Sequence, residues 1–204
     1  YAEHAAEIAR ARGTGDASLP SVPTFFTKAP TSLAAHEETL RLSSAVSTMY
    51  DWEAELAVVI GQRCRDVAER DAHRVVFGYT CVNDVTARDL QRKDGQWTRG
   101  KGFDTFCAVG PCVVTKDEID LTKLRVRTHV DGQIKQDGAV AEMMFDVAAI
   151  IAYVTEFMTL EPGDLIATGT PPGVGPLQPG STIQIEIDGI GILSNPVVSQ
   201  KVTS

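Results

Sequence analysis

A mainly β fold with peripheral helices, in the α+β class, is what the sequence predicts. Three observations carry it. Extended, β-branched runs dominate from residue 107 onward. Strand-like and helix-like segments do not alternate regularly, which argues against a doubly wound sheet or a TIM barrel. And 204 residues with 43% hydrophobic content are enough to bury a core as one domain.

Taken in chain order, residues 1–12, YAEHAAEIARAR, read as a helix. Residues 13–24, GTGDASLPSVPT, form a Gly/Pro/Ser loop long enough to act as a lid. FFTKAP is a short extended piece stopped by Pro30, and 36–50 carries no clear pattern. DWEAELAVVIG, 51–61, enters a buried strand. Residues 66–78, DVAERDAHRVVFG, read as a helix ended by Gly78, followed by a strand at 79–85 and a short helix at 86–92. Beyond these come a strand at CAVGPCVVT, another at 124–130, an Asp131–Gly132 turn and a strand at 133–137. An Asp-Gly pair between extended runs is a strong hairpin signal. One helix, 146–158, carries an apolar stripe through Val147, Ile150, Ile151 and Val154. Strands return at 164–169 and 181–193, on either side of the loop TPPGVGPLQPG.

Nineteen Lys and Arg against 27 Asp and Glu give a net charge of −8, which argues against nucleic acid or an anionic membrane surface as a partner. No apolar run reaches about 18 residues and no secretion signal is evident, so a cytoplasmic protein is expected. Cys64, Cys81, Cys107 and Cys112 lack CxxC spacing and read as reduced core residues. The sequence opens at Tyr1 with neither Met nor helix cap, the pattern of a piece of a larger protein.

The chemistry starts at DWEAEL. Residues i and i+2 of a strand share a face, so Glu53 and Glu55 project together while Leu56, Val58 and Ile60 face the other way. Two like charges at the mouth of an apolar strand repel unless they are solvated, protonated or neutralised by a cation. On the pair alone, a solvated strand end is the simpler reading. Asp84 changes it, because it stands where a second apolar strand, YTCV, gives way to VNDVTARD. Three hard oxygen donors on two strand ends suit Mg²⁺ or Mn²⁺, with Ca²⁺ as a substitute; no Cys/His cluster of the kind zinc favours is present. Arg88 and Asp89 read as a local ion pair or cap, and Gln91 as a neutral donor within reach.

His4 and Glu7 are spaced i, i+3 on one helical face, where a carboxylate can orient an imidazole to activate a water. His36, His73 and His129 have no carboxylate at useful spacing and read as structural. Lys101, in WTRGKGFDTF, suits a cation presented from a loop to an anionic substrate. In IATGTPPGVG, glycines including Gly169 permit close backbone approach and Thr170 offers a hydroxyl; neither a P-loop nor a GxGxxG fingerprint is present.

Taken together, YAEHAAE, DWEAELAVVIG, GYTCVNDVTARDLQ, RGKGFDTFCAVGPCVVT, the hairpin at Gln136, TLEPGDLIATGTPPGVG and GIGIL resemble the fumarylacetoacetate hydrolase superfamily. The resemblance runs from Tyr1 to about Val198 with the motifs in the family's order. It implies a mixed β-sandwich or β-roll, a homodimer and a Mg²⁺ or Mn²⁺ site. On it, residues 1–204 are one catalytic domain, with 1–24 a lid-like helix and loop and 25–200 the β-roll core. It also implies that Glu53, Glu55 and Asp84 ligate the metal, that His4 and Glu7 form a dyad on the lid, and that Lys101, Thr170 and Gln91 take the family's lysine, threonine and glutamine places. The Asn that usually precedes the tyrosine and the N-terminal extension of many members are absent, and Gly102 stands where Ser is common.

The expected substrate is a small 2-oxo or β-diketo acid, and the expected reaction is hydrolytic cleavage of an acylpyruvate through an enolate stabilised by the metal, with Lys101, Gln91, Thr170 and Gly169 at the substrate. Decarboxylation of oxaloacetate and isomerisation of an unsaturated 2-hydroxy diacid would use the same enolate. A divalent-ion module without catalysis is the reading from another class.

Overall fold

The computed structural model describes residues 1–13 and 19–200. The first helix, α1 (Ala2–Arg12), ends at Gly13, whose φ of 67° lets its N–H bond back to Ala9 and Arg10. Then come β1 (Leu33–Ala34), β2 (Leu40–Leu42), β3 (Tyr50–Trp52), β4 (Ala54–Ile60), the single turn α2 (Ala72–Val75), β5 (Val76–Asp84) and β6 (Thr86–Ala87). Two short helices follow, α3 (Arg88–Asp94) and α4 (Thr98–Lys101), and then β7 (Cys107–Thr115), β8 (Arg125–Val130) and β9 (Gln133–Ala139). The chain closes with α5 (Val147–Thr155), β10 (Leu165–Ala167), β11 (Gly175–Pro176), β12 (Thr182–Ile187) and β13 (Gly191–Ser199). Among the described residues, no helix is long and apolar enough to cross a membrane.

These strands make three sheets, in the orders β1-β7-β5-β4-β10, β11-β3-β6 and β2-β13-β12-β8-β9. Two pairs, β1 with β7 and β2 with β13, are parallel, so the predicted mixed, mainly β architecture is what forms. Strand β4 is buried at all seven positions. Leu56, Val58 and Ile60 enter the main core with Ile183, Ile185 and Leu193 of the facing sheet, while Ala57 packs with Val82 and Cys107 on the other side. The two-residue period seen in the sequence is therefore real, but both faces are covered. Helix α5 is capped by the Asp146 carboxylate, which accepts from Ala149 N–H, and it buries Val147, Ile150, Ile151 and Val154 as its stripe predicts. The Asp131–Gly132 turn, with φ of 48° and 79°, joins β8 to β9.

Several expectations are corrected. Residues 66–78 do not form a helix: one 3₁₀ turn and α2 occupy 69–75, and the β-branched and aromatic run Val75-Val76-Phe77 enters β5. Gly78 is a strand residue rather than a helix stop, because a Cβ there would lie 2.2 Å from the Val114 carbonyl oxygen of β7. Thr86 and Ala87 pair with β3, so the helix expected at 86–92 starts only at Arg88. The unpatterned stretch 36–50 contains β2, and the strand read at ELAVVIG forms as β4, with a separate short strand, β3, before it and Glu53 between the two. Residues 181–193 are a hairpin, turning at 188–190. Cys112 is exposed, whereas Cys81 and Cys107 are buried. His129 does have a carboxylate partner, Glu186 at 2.7 Å, supplied by the neighbouring strand rather than by sequence spacing. Part of the expected lid loop, residues 14–18, lies outside the described residues.

Candidate active site

The ends of β4 and β5 build the acidic centre. Asp84 N–H donates to the Glu53 carbonyl at 2.9 Å, and Glu53 N–H donates to Asn83 Oδ1 at 3.1 Å. This clamp holds Glu53 in the break between β3 and β4, so the two strand ends deliver their side chains to one place. Carboxylate oxygens of Glu53, Glu55 and Asp84 lie within 4.8 Å of one another, and all three residues are at most 4% exposed. The solvated strand end is excluded by that burial.

Three cations answer this charge. Lys101 Nζ donates to Glu53 Oε2 at 2.7 Å, Asp84 Oδ2 at 2.5 Å and Thr86 Oγ1 at 2.8 Å, and stands 4.9 Å from the Phe26 ring centroid. It is the last residue of α4 rather than part of a loop as expected, and it is 2% exposed. Lys28 Nζ donates to Asp84 Oδ1 and to the Lys101 carbonyl. Arg88 reaches Glu53 Oε1 at 2.6 Å and Asp51 Oδ2 at 2.7 Å, and donates to Gln91 Oε1 at 3.2 Å. The expected local pair of Arg88 with Asp89 gives way to this arrangement, and Asp89 bonds Ser47 instead. Lys28 escaped the sequence reading because its partner is 56 residues away. Arg88 and Gln91 are i, i+3 on one helix face, a signal that could have marked Arg88.

The protonation pattern is uneven. Burial would raise the Glu53 carboxyl, but Lys101 and Arg88 outweigh it and hold Glu53 well below the usual range. Burial would strip the proton from Lys101, but Asp84, Glu53 and Glu55 keep it charged. Glu55 is pushed up to about 8 by burial and by the like charges of Asp84 and Glu53. Its hydrogen bond comes from Gly169 N–H at 2.7 Å, and among the described residues it has no ion pair. Three hard oxygen donors, one of them buried without a cationic partner, fit a divalent ion of the Mg²⁺ or Mn²⁺ type.

Gly169 was expected at the substrate; its N–H is instead spent on Glu55, from a φ of 101° that favours glycine. Thr170 Oγ1 accepts from Gln136 Nε2 at 2.8 Å. Gln136 also donates to the Pro171 carbonyl and accepts from Ala54 N–H and Thr128 Oγ1, tying three strands behind the site. Sequence reasoning noted Gln136 only as part of a hairpin.

Helix α1 covers the centre. His4 Nδ1 is 3.2 Å from Glu7 Oε2, and Glu7 accepts from Gly173 N–H at 3.2 Å, so one carboxylate both orients the imidazole and docks the helix on the 170–175 loop. Burial pulls His4 below its ordinary value against the opposing pull of Glu53 and Glu7. The imidazole is therefore neutral near pH 7, and a carboxylate at Nδ1 favours the tautomer that leaves Nε2 with a lone pair. His4, Glu53, Glu55, Asp84, Arg88, Gln91, Lys28, Lys101, Gly169 and Thr170 all line one cavity of about 660 Å³.

The model of the family described as fumarylacetoacetate (FAA) hydrolase, C-terminal, matches residues 1–198. Oxaloacetate tautomerase YisK of Bacillus subtilis is 42% identical over 205 residues, spanning 97% of this chain and 66% of that protein. The crystal structure of 2-hydroxyhepta-2,4-diene-1,7-dioate isomerase from Mycobacterium marinum is similar with a TM-score of 0.86 at 48% identity, covering 89% of this chain and 71% of that one. Maleylpyruvate hydrolase from Sphingobium sp. SYK-6, in complex with manganese(II) and pyruvate, gives a TM-score of 0.82 at 36% identity, covering 88% of this chain and 66% of that one.

Proposed function

The chain belongs to the fumarylacetoacetate hydrolase family, and from that premise we propose that it is a Mg²⁺- or Mn²⁺-dependent enzyme that hydrolyses the C–C bond of acylpyruvate-type β-diketo acids. The observation that carries this reading is His4, neutral and hydrogen-bonded to Glu7, lining the same cavity as three buried carboxylates and three cations. Glu53, Glu55 and Asp84 would hold the ion, which when bound supplies Lewis acidity toward the oxygens of a 2-oxo acid. Lys101 and Lys28 place positive charge where the substrate carboxylate and the developing enolate sit, and the Thr170 hydroxyl and Gln91 amide orient that head by hydrogen bonds. His4 Nε2 takes a proton from water, Glu7 steadies the imidazolium so formed, and the water attacks the distal ketone. The C–C bond then breaks, with the pyruvate enolate leaving and taking a proton at C3. A homodimer is part of this reading, as the family resemblance implies.

Isomerisation or tautomerisation of a 2-oxo acid is the second reading, favoured by the relatives at 42% and 48% identity that carry those names. It needs the same base, with His4 taking its proton from C3 rather than from water. A non-catalytic ion module is disfavoured, because a structural site has no use for a His4–Glu7 pair beside it. Incubating the Mn²⁺-loaded protein with acylpyruvates, oxaloacetate and an unsaturated 2-hydroxy diacid, while following enol absorbance and free pyruvate, separates the readings. Pyruvate release from an acylpyruvate is the expected result; enol loss without pyruvate would replace hydrolysis by tautomerisation.

Metal binding should depend on pH through Glu55. Its carboxyl is pushed up from 4.5 to about 8 in the folded, metal-free protein. The native state therefore keeps a proton that the unfolded chain releases, and metal-free stability falls as pH rises through that window. Binding an ion must displace the proton, so apparent Mn²⁺ affinity is expected to rise about tenfold per pH unit from roughly pH 6 to 8 and then level off. Thermal shift on Mn²⁺ titration measures it; an affinity flat across that range would remove Glu55 from the ligand set.

A further inference from the structure

Resting on the acylpyruvate reading, we infer that the part of the substrate beyond its 2-oxo acid head is uncharged and apolar. The cavity is far larger than a three-carbon head requires, and it continues away from the carboxylates along β10. In the antiparallel register Ala167 faces Ala57 and Leu165 faces Val59. Leu165 therefore lies four residues before Gly169, the Glu55 partner, which is roughly 13 Å at about 3.3 Å per residue. The cavity lining also includes Met143, Phe145, Ile150, Val154, Met158 and Leu165, all apolar.

The placement of charge decides the chemistry of this arm. Among the described residues lining the cavity, the cations are Lys28, Arg88 and Lys101, and each is engaged at the acidic centre. Outside that centre and the dyad, the one charged lining residue described is Asp164, whose carboxylate accepts from Glu161 N–H at 2.7 Å. A second carboxylate at the end of a long substrate would meet an apolar wall and a like charge. An alkyl or aryl acyl group would instead shed water against that wall, each buried methylene being worth about fourfold in affinity.

The test uses non-cleavable 2-oxo acids and reads binding, not turnover. With the Mn²⁺-loaded full chain, calorimetry compares pyruvate, 2-oxooctanoate and the eight-carbon diacid 2-oxosuberate. The expected result is 2-oxooctanoate binding at least tenfold more tightly than either of the others. Leu165→Lys, at a position 38% exposed and so tolerant of the change, should narrow the gap by favouring the diacid. If pyruvate binds but 2-oxooctanoate gains nothing over it, or 2-oxosuberate binds as well, the apolar arm is overturned while the head-group reading stands. Failure of pyruvate itself to bind would overturn the head-group reading, and this inference with it.

Discussion

His4→Ala is expected to lower acylpyruvate hydrolysis by about 10³-fold, within the range in which a positioned base contributes. The loss should fall on kcat more than on KM, because the carboxylates, Lys101 and Lys28 that would hold the substrate head are untouched. The wild-type rate should also report this imidazole through its pH profile. Burial pulls the His4 pKa below 6.5, so the limb that rises with pH should lie on the acid side of an ordinary histidine. Glu7→Gln should cost less, about 10- to 100-fold, since the amide keeps an acceptor for Nδ1 and for Gly173 N–H but loses the charge that steadies the imidazolium. The two readings of function separate on the same variant. If the dyad serves only to activate water, His4→Ala should spare enol–keto conversion of oxaloacetate while abolishing pyruvate release. A His4→Ala protein that hydrolyses acylpyruvates at half the wild-type rate would sink the proposed role.

How much of this was legible in the sequence follows from how local each cause is. The β8–β9 hairpin needed only Asp131 and Gly132, and the stripe of α5 only its own period, so both could be read directly. Glu53, Glu55 and Asp84 were legible for the same reason: each sits where an apolar run ends, and strand geometry puts the first two on one face. The stretch 66–78 misled because Val75, Val76, Phe77 and Gly78 are arranged for contact with β4 and β7, a tertiary demand that outweighs the helix-like pattern before them. The cations were hardest. Lys28 meets Asp84 and Lys101 across 56 and 73 residues, and nothing in FFTKAP says that its lysine turns inward. Lys101 was visible as a cation, but not its three partners or its burial. Sequence indicates that a buried negative cluster wants positive charge; only the fold shows that the chain supplies much of it itself.

Because the chain supplies that charge itself, Lys101→Met is expected to change both stability and turnover. The substitution keeps the length and apolar stem of the side chain but removes the ammonium that bonds Glu53, Asp84 and Thr86. Leaving buried carboxylates without their partner costs about 3–5 kcal/mol, so metal-free Lys101→Met should unfold at markedly lower denaturant than the wild type. A structural salt bridge and a catalytic cation predict different behaviour once Mn²⁺ is added. Because the carboxylates freed by the change are the proposed ligands, the ion should restore most of the lost stability, giving the variant a larger thermal shift than the wild type. Activity should not return with it, since the positive charge meant for the substrate carboxylate and developing enolate is still missing; turnover should stay at least about 10²-fold down with metal saturating. Lys101→Arg makes the complementary measurement: the charge is kept, but the planar guanidinium cannot meet three oxygens arranged around a point charge, so stability should be largely retained and turnover lost. If Mn²⁺ stabilises Lys101→Met no more than it stabilises the wild type, the carboxylates that Lys101 bonds are not where the ion binds, and the acidic centre is an internal ion-pair network rather than a metal site.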